Sequence, residues 1–194
     1  MKVFFLSPIL AALVWVAIPT SAACQPPLET TAGWVEYARN PVLGGPLGTC
    51  FDISVLRERD TYRMWFSWRP RKSLALVEST DGITWSQPEI VLGPNDQAGW
   101  EQDLNRPVVI KNGDLYQMWY TGQARGKSWI GYATSTNGKN WKRMSDKPVL
   151  SAESPWEKVA MMCPHVRIDW TTPHEPTAWL IVHYRGDFGC DRNL

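Results

Sequence analysis

Two aspartates of this chain stand where carboxylates can do acid–base or nucleophilic chemistry. Asp52 directly precedes the apolar segment Ile53–Leu56, and Asp103 stands shortly before the apolar run Val108–Ile110. A carboxylate in such a place can accept a proton, donate one or act as a nucleophile. An Asp in front of a strand is also often a hydrogen-bonding residue of a turn or bulge. Both interpretations stay open for each residue.

Polar and aromatic residues close to the predicted strands are further candidates for ligand contacts. Arg106 either binds a polar group of a ligand or pairs with a neighbouring acid. The other candidate binding residues are Asn105, Trp68, Trp129 and His165. No Cys-x-x-Cys pair or clustered histidines indicate a zinc site, so the sequence predicts no metal and no cofactor.

The candidate residues belong to a unit that the chain repeats. Asp60, Tyr62, Met64 and Trp65 recur 54 positions later as Asp114, Tyr116, Met118 and Trp119, and Ser79, Gly82 and Trp85 recur 56 positions later as Ser135, Gly138 and Trp141. Self-similarity with a period near 50 residues is typical of propellers and repeat arrays.

Each repeat reads as four antiparallel strands. In the second copy these are Val108–Ile110, Leu115–Tyr120, Trp129–Thr134 and a fourth strand ending at Val149–Leu150. The first three are rich in aromatic and β-branched residues, and Asn112-Gly113 predicts a hairpin turn. Asn40–Leu43 resembles an outer strand as well. The predicted fold is therefore all-β, a partial β-propeller of four-stranded blades.

The start of the chain predicts export. An apolar run, Val3–Ile18, precedes small residues and Cys24, which is typical of a signal peptide over residues 1–23. Residues 24–36 read as a linker and residues 37–194 as an incomplete propeller, with units of about 51–104, 105–160 and 161–194. We expect a secreted or periplasmic protein. Acylation of Cys24 is the alternative, and it would make the chain a membrane-attached lipoprotein.

Composition restricts the partners. The net charge is +1 and no basic stripe or polybasic arm is present, so nucleic acid is not expected as a partner. Repeat position assigns Trp65, Trp85, Trp119 and Trp141 to packing and leaves Trp68, Trp100, Trp129 and Trp156 to line a surface. Free or buried thiols are favoured over a disulfide framework for the four cysteines.

The motifs resemble one superfamily. Asn-Pro-Val-Leu, Phe-Asp-Ile-Ser-Val-Leu, Tyr-Arg-Met-Trp-Phe-Ser and Ser-Thr-Asp-Gly-Ile-Thr-Trp are similar to the five-bladed propeller glycosidases of glycoside hydrolase families 32, 43, 68 and 130, from residue 37 to about residue 168. The resemblance implies a secreted, carbohydrate-active protein that acts on glycosidic bonds of poly- or oligosaccharides. About two and a half to three of five blades are present, which do not close a ring. We therefore expect a truncated piece or an assembly of several chains.

The resemblance also implies roles for residues. The family uses acids at the starts of inner strands, with a Glu from a middle blade as the general acid. Asp52 and Asp103 then become catalytic residues that share one cleft, with carboxyl groups within about 10 Å, and His165 opens the third inner strand. Residues 160–164 contain no Glu, so the catalytic set looks incomplete. A non-catalytic glycan-binding propeller and a protein-interaction scaffold are the alternative functions.

Overall fold

A computed structural model describes residue 33 and residues 35–153, 160–169 and 177–185, with residues 167–169 and 177–185 described by their backbone alone. The chain divides into two compact units, Met1–Asn40 and Pro41–Leu194. In the described part of the first, the Arg39 side chain donates a hydrogen bond to the Tyr37 hydroxyl. The predicted signal peptide, most of the linker, Cys24, Trp156 and Cys190 lie outside the described residues.

The larger unit begins with a four-stranded antiparallel sheet whose spatial order follows the chain. Its strands are β1 (Cys50–Glu58), β2 (Thr61–Trp68), β3 (Ser73–Ser79) and β4 (Glu89–Leu92). Aromatic and apolar side chains fill β2 and β3, which are buried over most of their length. Short 3-10 turns occur at Gly45–Leu47, Arg69–Arg71 and Asp96–Ala98. This sheet is the first predicted blade.

The second repeat folds in the same way. Its strands are β5 (Asp103–Asn112), β6 (Leu115–Ala124), β7 (Lys127–Ser135) and the short β8 (Lys142–Arg143), which pairs with β7. A further hairpin, β9 (Ala160–Asp169) with β10 (Thr177–Arg185), joins β7 through one parallel pair, Ser128 with Ala160. The sheet order is therefore β10-β9-β7-β6-β5. The predicted second strands, β2 and β6, are confirmed.

One predicted outer strand is wrong, and another is shorter than predicted. Asn40–Leu43 contains no strand residue: Pro41 cannot donate to a ladder, and Gly44 and Gly45 follow with positive φ. The fourth strand of the second repeat is also shorter than expected. The N–H groups of Val149 and Leu150 both donate to the Ile130 carbonyl, so pairing stops at one isolated bridge instead of continuing as a ladder.

The main core lies between the two sheets. Its fully buried members come from both, including Trp65 and Leu74 of the first sheet and Met118 and Tyr120 of the second. The Trp65 indole N–H donates to the Gly138 carbonyl of the second repeat at 2.9 Å. The prediction that the repeated tryptophans serve packing is confirmed for Trp65, Trp85 and Trp141, which lie in or against the core clusters, whereas Trp119 belongs to neither cluster. Burial of these aromatic faces joins neighbouring repeats by the hydrophobic effect.

The Ser-x-Asp-Gly hairpin is a hydrogen-bonded structural unit. Asp81 Oδ1 accepts hydrogen bonds from the backbone N–H groups of Ile83 and Thr84 at 2.8 and 2.7 Å. Asn137 Oδ1 accepts the corresponding two bonds in the second repeat. The backbone donors hold the pKa of Asp81 well below its usual range. Because a neutral amide makes the same contacts, Asp81 is a turn residue, as its sequence position indicates.

Candidate functional site at the inner strands

The first strands of the three repeats carry the same irregularity. Asp52, Arg106 and Cys163 are non-glycine residues with φ of 46°, 55° and 57°. Each lies where the hairpin register shifts, in β1, β5 and β9 respectively. A left-handed conformation costs an ordinary residue about 1–2 kcal/mol, and bulges of this kind are over-represented next to active sites. The first strand of each repeat thus contains one strained position at its bulge.

A side-chain hydroxyl from the preceding repeat holds two of these bulges. The Arg106 N–H donates to Ser67 Oγ at 2.8 Å, and the Cys163 N–H donates to Thr121 Oγ1 at 3.2 Å. Ser67 and Thr121 are fully buried and occupy equivalent ends of β2 and β6. Since a buried amide needs a partner, these hydroxyls compensate part of the cost of the positive φ.

The three bulges line one cleft of about 260 Å³. Each repeat contributes its bulge residue to the lining. The apolar residue that follows each bulge residue also lines the cleft. The lining consists of Asp52, Ile53, Arg106, Pro107, Val108, Cys163 and Pro164. The cleft therefore combines one carboxylate, one guanidinium and one thiol with apolar walls.

An ordered polar chain leads from this cleft into the second sheet. Arg106 Nε lies 3.2 Å from Asp52 Oδ2, and Arg106 Nη1 donates to Asn105 Oδ1 at 2.6 Å. Asn105 Nδ2 donates to Gln123 Oε1 at 2.7 Å, and Gln123 Nε2 donates to Ser128 Oγ at 3.0 Å. Asn105 is buried, so this chain fixes the guanidinium that faces Asp52. Two roles were predicted for Arg106, and the structure contains one of them, the ion pair with a neighbouring acid, Asp52.

The positions of both predicted acids need correction. Asp52 lies inside β1 rather than before it, because the bulge allows Cys50 and Phe51 to pair with β2 as well. Asp103 is the first residue of β5 and lines a different pocket, of about 390 Å³. The structure therefore brings Asp52 together with Arg106, its counterpart 54 positions later, and not with Asp103 in one cleft.

The aromatic and histidine candidates take varied positions. The half-buried Trp68 donates its indole N–H to the Leu47 carbonyl at 2.8 Å, and Trp129 packs against the inter-sheet core. His165 is exposed and follows the cleft residue Pro164. It lies inside β9 rather than at the start of the third inner strand, so that prediction is wrong. The expectation that Trp100 lines a surface is wrong. Its indole is buried and stacks on Tyr120 at 6.2 Å between ring centroids.

Cys163 is a cleft residue that sequence reasoning missed. Two signals were available: the 54-residue offset between Asp52 and Arg106, and the recurrence of a residue before proline in Arg106-Pro107 and Cys163-Pro164. Cys50 and Cys163 are free thiols, and burial raises the pKa of Cys50. Within the described ranges, no group of three or more His, Cys, Asp or Glu residues could hold a metal ion. The same part of the chain contains no helix long and apolar enough to cross a membrane.

A second carboxylate of β1, Glu58, lies in a hydrogen-bonded cluster. The Tyr116 hydroxyl donates to it at 2.6 Å, the Arg63 guanidinium lies 3.3 Å away, and Lys111 forms an ion pair with it. Burial opposes ionisation, but the bonds from Lys111, Tyr116 and Arg63 together lower the pKa of Glu58. We call Glu58, Arg63, Lys111 and Tyr116 the Glu58 cluster.

Comparisons with known proteins agree with the fold. No family model matches the chain. Over 107 residues, it is 28% identical to an A type blood N-acetyl-α-D-galactosamine deacetylase of Flavonifractor plautii. The match covers 52% of this chain and 14% of the deacetylase. Among solved structures, a thermostable family-43 glycoside hydrolase is 20% identical with a TM-score of 0.57, covering 74% of this chain and 43% of that one. An endo-arabinanase of Bacillus licheniformis is 23% identical with a TM-score of 0.51, covering 66% and 45%.

The chain spans less than half of each of these proteins. Native arabinanase of Bacillus subtilis is a further neighbour, with 20% identity and a TM-score of 0.53 over 66% of this chain and 46% of that one. The predicted resemblance in fold to propeller glycoside hydrolases is confirmed.

Proposed function

We propose that this chain, which has the propeller-blade fold of family-43 glycoside hydrolases, is a carbohydrate-active protein that contacts sugar in the cleft of Asp52, Arg106 and Cys163. The observation that carries the proposal is the convergence of three equivalent, strained bulge residues on that one cleft. Strained backbone of this kind persists only where the surrounding structure enforces it, and it clusters at functional sites.

Asp52 is the residue best placed to act on a substrate. Its side chain is 46% exposed, so it can receive a ligand, while Arg106 holds one of its oxygens in a fixed orientation. In this proposal Asp52 acts as general base or nucleophile, and Arg106 positions it and contacts a sugar hydroxyl. Glycosidic bond cleavage needs a second carboxyl group, about 5–10 Å from the first.

Non-catalytic glycan binding is the second candidate function, and the lining of the cleft favours it. Asp52 is the one carboxylate among the described residues that line the cleft. Asp103 lines the neighbouring pocket instead. A general acid typically contributes about 10²–10⁴ in rate, so Asp52 without one would support binding better than turnover.

The test measures binding and turnover on the same samples. The full chain is assayed on arabinan, xylan, fructan and mannan by affinity electrophoresis and by release of reducing sugar. Hydrolysis that Asp52→Asn abolishes, with binding retained, would establish the enzyme. Binding without hydrolysis would establish the glycan-binding alternative. Asp60→Asn is the matched control, because Asp60 is an exposed acid in the β1–β2 turn. No binding to any of these four glycans or to a charged glycan would refute both.

We propose also that the protein is exported, because a protein that acts on polysaccharides would encounter them outside the cytoplasm. The apolar run Val3–Ile18 and the small residues before Cys24 support it. Fractionation of a bacterial host that expresses the full chain should place the processed protein in the periplasm or medium. Labelling with a radioactive fatty acid, compared with a Cys24→Ser variant, distinguishes the lipoprotein alternative from free secretion.

A further inference from the structure

The neighbouring pocket, which we call the basic pocket, has a composition unlike that of the cleft. It has a volume of about 390 Å³, within the range of ligand sites. The starts of β5 and β9, the β6–β7 turn and Lys72 form its wall. Its charged lining residues are Lys72, Asp103, Arg125 and Lys127. Three cations thus surround a space in which Asp103 is the one carboxylate of the described lining.

The three cations of the basic pocket pair with no acid in the described part of the chain. Lys72, Arg125 and Lys127 are exposed, and none of them forms an ion pair with any residue that the structure describes. Two lysines outside the pocket do form ion pairs, Lys111 with Glu58 and Lys139 with Glu78. Lys142 and Lys147 form none with the described residues, so what distinguishes the pocket is that its three cations surround one space. Like charges around one concave surface raise the local positive potential. A bound anion would relieve this repulsion.

The floor of the basic pocket is polar and connected to the cleft. Gln123 and Ser128 line it, and both belong to the hydrogen-bond chain that passes through Asn105 to Arg106. Ser128 Oγ accepts from Gln123, so its own hydroxyl hydrogen is available for a ligand oxygen. The chain neighbours Met162 and Cys163 line the basic pocket and the cleft, respectively. Two adjacent sites joined in this way suit consecutive units of one polymer.

We infer that the basic pocket binds an anionic substituent, a carboxylate or a sulfate ester, of the same glycan that enters the cleft. The inference rests on the proposed function and narrows it to acidic polysaccharides. Lys72, Arg125 and Lys127 supply charge, and Ser128 and Gln123 supply directional contacts. Arg106 is ordered through the same chain, so an anion at the pocket also places the next sugar against the cleft.

The test uses glycans that differ only in charge. Binding of the full chain is measured by biolayer interferometry to polygalacturonate and its fully methyl-esterified form, and to dextran sulfate and dextran. We expect the charged member of at least one pair to bind about tenfold tighter or more at low salt. The advantage should shrink as salt rises, since the Debye length falls to about 10 Å at 0.1 M. The two pairs distinguish a carboxylate from a sulfate ester.

Matched triple variants locate the effect. Lys72→Asn, Arg125→Asn and Lys127→Gln together should abolish the preference for the charged glycan. Asn is chosen at the first two positions because both have φ of 51°, which Asn tolerates. The control variant combines Arg59→Asn, at φ 53°, with Lys142→Gln and Lys147→Gln, and loses the same number of charges away from the pocket. It should retain the preference.

Each result decides between the claims. If both triple variants lose the preference for the charged glycan equally, or if the wild type binds charged and neutral glycans equally, the anion site is refuted. The proposed function is unaffected by either result. No binding to any of the four glycans or to the neutral panel overturns both. Lys127→Gln alone keeps the test valid if the triple variant unfolds, because Lys127 is exposed in the β6–β7 turn region. That single change should reduce the preference partly, and an unchanged preference counts against the pocket.

Discussion

Two carboxylates of strand β1 have contrasting environments. Asp52 and Glu58 both reach across to the second sheet, one to Arg106 and the other to Lys111 and Tyr116. Asp52 is 46% exposed, has one cationic partner and stands on strained backbone. The Glu58 side chain is 23% exposed and has donors from three residues.

The contrast separates a structural acid from one that is free for ligands. A carboxylate has about four lone-pair positions. At Glu58 these are occupied by Arg63, Lys111 and the Tyr116 hydroxyl, so the group joins the sheets. At Asp52 they are largely open to the cleft. The same strand therefore joins the two repeats at one end and exposes Asp52 to the cleft at the other. The predictions below test that division by changes in stability.

The largest expected effect is that of Glu58→Gln. It leaves the Arg63 and Lys111 cations without their shared carboxylate, and hydrogen bonds to charged groups contribute about 1.5–3 kcal/mol. We expect the free energy of unfolding to fall by about 2 kcal/mol, measured by urea denaturation. Asp60→Asn in the adjacent turn should change it by less than about 0.5 kcal/mol. Equal effects of the two variants would show that the Glu58 cluster is not structural.

The next effect is that of Ser67→Ala, which removes the acceptor of the Arg106 N–H. A buried donor without a partner costs about 1–3 kcal/mol, so we expect a loss of about 1–2 kcal/mol in the free energy of unfolding, with weaker glycan binding at the cleft. Ser145→Ala is the control, because the Ser145 hydroxyl accepts a backbone N–H at an exposed site where water can replace it. A loss of stability with unchanged glycan binding would contradict the role of Ser67 in the cleft.

The pH dependence should differ between wild type and Glu58→Gln. Donors to the ionised form lower the pKa of Glu58 in the folded state, so the unfolded chain binds the proton more readily. The stabilisation is complete above the ordinary pKa near 4.5 and is lost as pH falls through the folded pKa. Denaturation curves from pH 6 downwards should show a shallower loss for Glu58→Gln. Parallel curves would argue against the lowered pKa.

The smallest effect on stability is expected for Asp52→Asn. Its ion pair is half exposed, and such pairs contribute about 0–1 kcal/mol; Asn also tolerates positive φ. We expect the free energy of unfolding, measured by urea denaturation, to change by no more than about 0.5 kcal/mol. Glycan hydrolysis, or glycan binding if the chain is not an enzyme, should fall clearly. A large destabilisation with function retained would reverse the roles of Asp52 and Glu58.

The repeat and its strands were predictable because identical residues recur at a fixed offset in the two copies. Tyr62 and Tyr116, with the aromatic residues after them, lie on equivalent second strands, as the 54-residue offset indicates. The Ser-x-Asp-Gly turn was also predictable, since its hydrogen bonds are local. Strand ends were harder to predict: the shared Ile130 carbonyl stops the last ladder, and this depends on tertiary geometry.

The cleft was less predictable because its equivalent positions share no residue type. Asp52, Arg106 and Cys163 have the same backbone conformation but differ in charge and size. The 54-residue offset aligns Asp52 with Arg106, but no shared residue type marks the three positions as one site. The conformations of Arg106 and Cys163 also depend on hydroxyls contributed by the preceding repeat. Trp100 shows the same limit, since its burial comes from stacking on Tyr120 and a bond to the Asp146 carbonyl, neither of which is local in sequence.

The hydroxyl-to-bulge bonds have a consequence for folding order. The Ser67 hydroxyl accepts the N–H of Arg106, and the Thr121 hydroxyl accepts the N–H of Cys163. These two inner strands therefore reach their final form only after the preceding repeat has docked. The site would then be acquired stepwise along the chain, one interface at a time. The amide protons of Arg106 and Cys163 should accordingly exchange with solvent at the rate at which neighbouring repeats separate, a motion distinct from global unfolding. These two amides are therefore natural reporters of the cooperativity between blades.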